Sequence, residues 1–207
     1  ISCDWGTSNF RLRLVETNTL CVIEEVNSSM GIKTLNDQCQ NQDRLTFFTS
    51  YLQSQILLLP EEHQTELVVI SGMASSNIGM KEMPYAKMPM DASGEHLSWK
   101  ILNILPNSKA ILVSGVKSKH SMMRGEEIQA IGIADQLPPG LLILPGTHSK
   151  HLTFKNGTFS DMKTFMTGEL FELLSTKSIL SNSVINSPFS EKAFFEGVAA
   201  GLKESVN

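Results

Sequence analysis

The chain has 207 residues, 41% of them hydrophobic and 18% charged, with a net charge of −4. Such a balance suits a soluble globular protein of one large or two small domains, and it offers no Lys/Arg run or basic field for nucleic acid. No apolar run reaches the ~18 residues of a membrane span, and Cys3, Cys21 and Cys39 form no C-x-x-C pair, which reads as reduced thiols in the cytoplasm.

Ile1 already lies inside a strand pattern, so the chain reads as an excerpt. Ile1–Asp4, Phe10–Val15 and Leu20–Val26 form an expected three-strand meander. Helical spacing over Asp43–Leu59 puts Leu45, Phe48, Leu52, Ile56 and Leu59 on one face. Leu67–Ser71, with Val68, Val69 and Ile70, reads as a buried strand ending at Ser71-Gly72. A polar, Met-rich stretch from Met73 to Leu97 follows; with no Cys in it, its methionines read as packing rather than metal ligands. Ala110–Ser114 is a strand. Arg124–Asp135 fits a helix with Ile128, Ile131 and Ala134 on one face.

The breaker Asp135-Gln136-Leu137-Pro138-Pro139-Gly140 is the best domain boundary. Beyond it Leu141–Leu144 is a strand, His151–Phe154 and Phe159–Phe165 form a hairpin about Asn156-Gly157, and Thr167–Ser175 and Glu191–Glu204 are helices. The order strand, Gly-Thr turn, strand, strand, helix therefore occurs twice. Gly6-Thr7-Ser8-Asn9-Phe10-Arg11-Leu12 lies over Gly146-Thr147-His148-Ser149-Lys150-His151-Leu152, as a duplication would produce.

Asp4, Gly6, Thr7, Ser8 and Asn9 combine a carboxylate, a glycine and hydroxyls at a hairpin tip. Such a tip can hold magnesium through Asp4 and offer N–H groups to phosphate; a turn acid capping its own backbone is the plainer alternative. Gly146, Thr147, His148, Ser149 and Lys150 form the second phosphate turn, with Lys150 as a point charge or a solvated strand residue and His148 as a turn-stabilising or catalytic group. Two such turns suggest a nucleotide clamp suited to phosphoryl transfer. There is no G-x-x-x-x-G-K-[ST] and no Gly-x-Gly anywhere, which excludes a P-loop and a Rossmann fingerprint.

The motifs Asp4–Arg11, Ser71–Met73, Pro84-Tyr85, Met123–Gln129, Leu144–Lys150 and Phe165–Leu170, in this order, resemble the 2-dehydro-3-deoxygalactonokinase family. These sugar-acid kinases belong to the actin/hexokinase/Hsp70 ATPase superfamily. The resemblance implies ATP- and Mg²⁺-dependent phosphorylation of 2-dehydro-3-deoxy-D-galactonate at its 6-hydroxyl, in galactonate breakdown. It also implies a catalytic carboxylate at the start of the helix before the second turn, hence Glu126 or Glu127; helix-dipole compensation is the bland reading of both.

Arg124 is then a candidate for the substrate carboxylate or a surface ion pair. Ser71, Gly72 and Met73 end a strand where ligand loops lie, and Tyr85 sits in the loop expected to cover the substrate. Thr167-Gly168-Glu169 looks like a helix N-cap, and the resemblance adds a substrate role for Thr167 and Glu169. The implied fold is α/β, ribonuclease-H-like and actin-type: residues 1–138 form one domain and 139–207 the incomplete first part of a second, around a cleft. Family members continue for roughly another hundred residues, which carry the adenosine pocket.

The expected partners are ATP and a small sugar acid, with no nucleic acid and no membrane, and a homo-oligomer is left open. The rivals are a non-kinase actin- or Hsp70-like ATPase and a truncated sugar-binding module. The gluconate-derived epimer of the substrate is not distinguished by spacing.

Overall fold

The computed structural model describes residues 1–105, 108–185 and 187–203. In chain order the elements are β1 (Ser2–Trp5), β2 (Phe10–Val15), β3 (Val22–Ser28), α1 (Ile32–Cys39), α2 (Arg44–Ile56) and β4 (Val68–Gly72). Then come β5 (Ala86–Lys87), β6 (Met90–Asp91), β7 (Trp99–Leu105), β8 (Ser108–Val113), β9 (Val116–Lys117), β10 (Met122–Met123) and α3 (Glu126–Ile133). Last are β11 (Gly140–Leu144), β12 (Ser149–Lys155), β13 (Thr158–Phe165), α4 (Thr167–Thr176) and α5 (Glu191–Lys203). The result is an α/β fold with mixed sheets, in two compact units, Ile1–Met166 and the residues from Thr167 onward.

In the first unit the described strands form a six-stranded sheet in the order β3-β2-β1-β4-β8-β7. β1 pairs antiparallel with β2 and parallel with β4, which runs parallel to β8. In β2 the alternation Phe10, Leu12, Leu14 points into the core, as its period of two requires. Helix α2 starts where Asp43 accepts hydrogen bonds from the Thr46 N–H at 2.8 Å and the Thr46 hydroxyl at 2.7 Å. Phe48, Leu52 and Ile56, four residues apart, are fully buried, whereas Leu45, expected on the same face, is 37% exposed. Trp5 anchors the layer: its ring meets Phe10 edge-on at 5.0 Å and Phe48 at 5.6 Å, and its indole N–H donates to the Met30 carbonyl at 3.2 Å.

A second core lies under a four-stranded sheet in the order β11-β12-β13-β6, built on Met90, Leu152, Phe154, Phe159 and Met162 with Ala130 of α3. The β12–β13 hairpin turns at Asn156 (φ 52°) and Gly157 (φ 70°), the doubly left-handed turn that Asn-Gly favours. Leu12 and Leu152, aligned in the proposed duplication, are each fully buried in their own sheet. A small third sheet, β10-β9-β5, precedes α3. Met80, Met83 and Met90 of the Met-rich stretch are core residues.

The second unit contains α4, a 3₁₀ turn at Ile179–Ser183 and α5. Its described residues bury no side chain fully. The sequence-expected end of the last helix, Glu204, lies outside the described residues.

Candidate active site

The first turn is held from behind. Gly6 N–H donates to the Asn9 carbonyl at 2.9 Å, closing the loop between β1 and β2. The first two N–H groups of α1, from Ile32 and Lys33, donate to the carbonyls of Gly6 (2.9 Å) and Thr7 (3.1 Å). Gly31, at the N-cap of α1, makes that approach possible: a Cβ there would stand 2.4 Å from the Thr7 oxygen. With its carbonyls turned toward α1, the tip presents Thr7, Ser8 and Asn9 to solvent, and none of the described residues accepts a backbone hydrogen bond from the N–H of Thr7 or Ser8. Together with Asp4, Arg11 and Thr147 they line a hollow of about 290 Å³. The Asp4 carboxylate is half exposed and 3.5 Å from the Arg11 guanidinium.

No group of three or more His, Cys, Asp or Glu side chains suited to a metal occurs among the described residues. Asp4 brings one carboxylate to the hollow, and nucleotide-bound magnesium takes one or two carboxylates and fills its octahedron with phosphate oxygens and water.

At the end of β4, Trp5 pairs with Gly72. Gly72 has φ 88°, and a Cβ there would meet the Trp5 carbonyl at 2.7 Å. The chain then turns through Met73–Ser75. Gly72 and Met73 line the main pocket; the Ser71 hydroxyl instead donates to the Cys3 carbonyl at 3.5 Å.

The start of α3 supplies the charged groups. Arg124 lies over the Tyr85 ring, 4.2 Å from its centroid, and donates through Nη1 to the carbonyl and the hydroxyl of buried Ser75. Among the described residues, its buried Nε has no hydrogen-bond partner. The Arg124 N–H donates to Glu126 Oε2 at 2.9 Å, and the Gly125 N–H donates to both oxygens of Glu127 at 2.8 Å. Adjacent helix residues point about 100° apart, and the two acids accordingly differ: Glu126 lines the pocket, whereas Glu127 is 0% exposed. Burial, with the Glu126 charge adding to it, pushes the Glu127 carboxyl up to about 7.

From the second turn, Gly146, Thr147 and His148 line the same pocket. A Cβ on Gly146 would meet nothing within 4 Å, so this glycine opens space. Ser149 is buried. Lys150, 5% exposed, donates to the Thr164 hydroxyl at 3.3 Å. Burial lowers its basicity and the nearby Glu126 charge partly restores it. The pocket encloses about 450 Å³, within the range of small-molecule sites. Thr167 and Glu169 belong to the second unit, where they open α4.

The structure thus brings together most of the residues expected from sequence: Asp4, Gly6, Thr7, Gly72, Met73, Tyr85, Arg124, Glu126, Gly146, Thr147, His148 and Lys150. Sequence reasoning missed Gly31, Ser75, Gly125 and Gln129. Gly31 precedes a helix that the sequence does not announce, and Ser75 offered no signal.

A sequence model of the 2-keto-3-deoxy-galactonokinase family matches residues 4–207. The 2-dehydro-3-deoxygalactonokinase of Escherichia coli (strain K12) is 32% identical over 206 residues, covering 98% of this chain and 65% of that protein. A Rhizobium meliloti (strain 1021) protein described as the 2-dehydro-3-deoxygalactonokinase DgoK1 is 31% identical, covering 99% of this chain and 63% of that one. This chain therefore spans just under two thirds of the length of these relatives. A crystal structure from Sinorhizobium meliloti, described as a 2-dehydro-3-deoxygalactonokinase protein, superposes with a TM-score of 0.78 at 28% identity, covering 98% of this chain and 67% of that one. With a family model matching residues 4–207, the chain belongs to the 2-keto-3-deoxy-galactonokinase family.

Proposed function

We propose that the protein phosphorylates 2-dehydro-3-deoxy-D-galactonate at its 6-hydroxyl with ATP. The observation that carries this reading is the convergence of two Gly-Thr turns and an acid-flanked helix start on one pocket. Phosphoryl transfer depends mainly on positioning and charge neutralisation, which these parts supply.

The N–H groups of Thr7, Ser8 and Asn9 take one phosphate, and the Gly146–Ser149 turn takes the next. Asp4 would hold magnesium, which neutralises phosphate charge. Lys150 adds a positive charge from the pocket wall. Glu126 accepts the proton of the attacking 6-hydroxyl, whose oxygen then bonds to the γ-phosphorus as ADP leaves. Arg124, with Nη1 committed to Ser75 and its face to Tyr85, offers its remaining edge and its charge to the sugar carboxylate. Ser71, Thr167 and Glu169 are proposed substrate-side residues on the family pattern, with Ser71 acting through the β4 end.

The repeated meander, β1–β3 and β11–β13, each opening on a Gly-Thr turn, supports a ribonuclease-H-like, actin-type division into 1–138 and 139–207. In that arrangement the phosphates lie between the two turns. Among the described residues no helix is long and apolar enough to cross a membrane, and Cys3, Cys21 and Cys39 are unpaired, which supports the cytoplasm.

The test is a kinase assay on the intact protein with 2-dehydro-3-deoxy-D-galactonate and its gluconate-derived epimer, the product read by phosphorus NMR. A C6 phosphomonoester from the galactonate-derived acid is expected. ATP hydrolysis that neither acid stimulates would replace this reading with a non-kinase ATPase.

A further inference from the structure

We propose that Glu127 is a positioning residue of this site: it clamps the backbone entering α3 so that its neighbour Glu126 presents a carboxylate to the pocket. The inference rests on Glu126 as the acceptor of the substrate's proton.

The two acids are adjacent, yet the structure uses them in opposite ways. An acid serving only the helix dipole does so from the surface, without desolvation. Glu127 is instead fully buried, where a carboxylate costs free energy unless its oxygens are satisfied. Both of its oxygens accept from the Gly125 N–H, at 2.8 Å each, and its own backbone N–H adds a further hydrogen bond. The preceding N–H, of Arg124, is taken by Glu126 at 2.9 Å. Each acid thus grips the backbone two residues before it, and Glu126 cannot keep its grip if Gly125 swings.

Gly125 has a second restraint. Gly125 has φ 111°, and a Cβ on it would stand 3.3 Å from Gly72 Cα. Gly72 is in turn backed by the Trp5 carbonyl, next to Asp4. The Arg124–Gly125 segment is therefore held by both the Gly72 backbone and the Glu127 carboxylate. Removing Glu127 releases one of these two restraints and with it the bearing of Glu126.

A neutral amide can still accept the Gly125 N–H through its oxygen, so chemistry and positioning separate cleanly. In the intact protein, Glu127→Ala, Glu127→Gln and Glu126→Gln would be compared for kcat, for KM of each substrate, and for folding by circular dichroism and thermal melting. Glu127→Ala is expected to lower kcat about a hundredfold, the cost of an ångström-scale misplacement, with KM for ATP little changed. Glu127→Gln is expected to recover most of that loss. Wild-type kcat in folded Glu127→Ala would overturn the proposal, and so would a Glu127→Gln as impaired as Glu127→Ala, because the charge itself would then be required. An active Glu126→Gln would remove the proton-acceptor reading. An inactive Glu126→Gln beside an unimpaired Glu127→Ala would remove only the positioning role.

Discussion

Gly72 and Gly125 meet where neither could carry a side chain: a Cβ on Gly125 would stand 3.3 Å from Gly72 Cα, and both residues hold positive φ. This contact joins the end of β4, next to the Gly6-Thr7 turn, to the start of α3. It sets the spacing of Asp4 relative to Glu126 through backbone rather than through flexible side chains.

Gly72→Ala should be costly twice over. The added methyl meets the Trp5 carbonyl at 2.7 Å and the residue sits at φ 88°. A loss of about 1–3 kcal/mol is expected, read as a lowered urea midpoint with an unchanged slope. An unshifted midpoint would show that β1 and β4 can part without penalty.

Gly31→Ala and Gly146→Ala form a matched pair, one behind the first Gly-Thr turn and one facing the pocket. Alanine at 31 drives a Cβ to 2.4 Å from the Thr7 carbonyl and must displace the first turn. Alanine at 146 meets nothing and has no positive φ to strain. Gly31→Ala is therefore expected to lower both stability and ATP affinity. Gly146→Ala should leave stability unchanged and raise KM for ATP only, because the methyl fills phosphate space. Calorimetric ATP titration and thermal melting of both variants decide this; equal ATP affinity in Gly146→Ala and wild type would refute the second-turn assignment.

Arg124→Lys is expected to impair the sugar acid more than the nucleotide. A lysine cannot both bond Ser75 and stack its head on Tyr85 as the planar guanidinium does. A rise in KM for the sugar acid of roughly tenfold, with KM for ATP near wild type, corresponds to about 1.4 kcal/mol of lost binding. Equal losses for both substrates would count against it.

The buried Glu127 also predicts a pH dependence of folding. Its carboxyl titrates at about 7 in the folded protein against an ordinary 4.5, so the folded state binds the proton more tightly. Its favourable contribution is fully present below about pH 4.5 and is lost as pH rises through about 7, a change of about 3 kcal/mol. Glu127→Gln lacks this group, so its stability relative to wild type should rise between pH 5 and pH 8. Urea unfolding at four pH values in that range tests it; a pH-independent difference between the two proteins would contradict the burial effect.

The strands of the opening meander, helix α2 and the Asn156-Gly157 hairpin were legible because each carries a local signal: alternation in Phe10–Leu14, the four-residue spacing of Phe48, Leu52 and Ile56, a turn dipeptide. The two Gly-Thr segments were legible as turns for the same reason. Helix α1 was not, because its apolar residues, Ile32, Leu35 and Cys39, are sparse and Gly31 offers no side-chain cap. Strand β7 was hidden because apolar residues fall on both faces: Leu102 is buried while Trp99 is 60% exposed. The different fates of Glu126 and Glu127 were also beyond the sequence. Only the packing of α3 onto the second core decides which of two neighbouring acids is turned inward.

The two-residue strand β6 has a consequence for how this chain must assemble. Met90 and Asp91 pair with Phe159 and Thr158, so a loop from the first half completes the sheet of the second. Met90 also fills that sheet's core. The partners are separated by nearly seventy positions, and such distant pairings form late because a long loop must first be closed. A fragment beginning near residue 139 would leave Phe159 uncovered and the β13 edge open to other chains. The second sheet is thus a dependent of the first: it reaches its finished state only when an earlier stretch of the same chain is stitched across it.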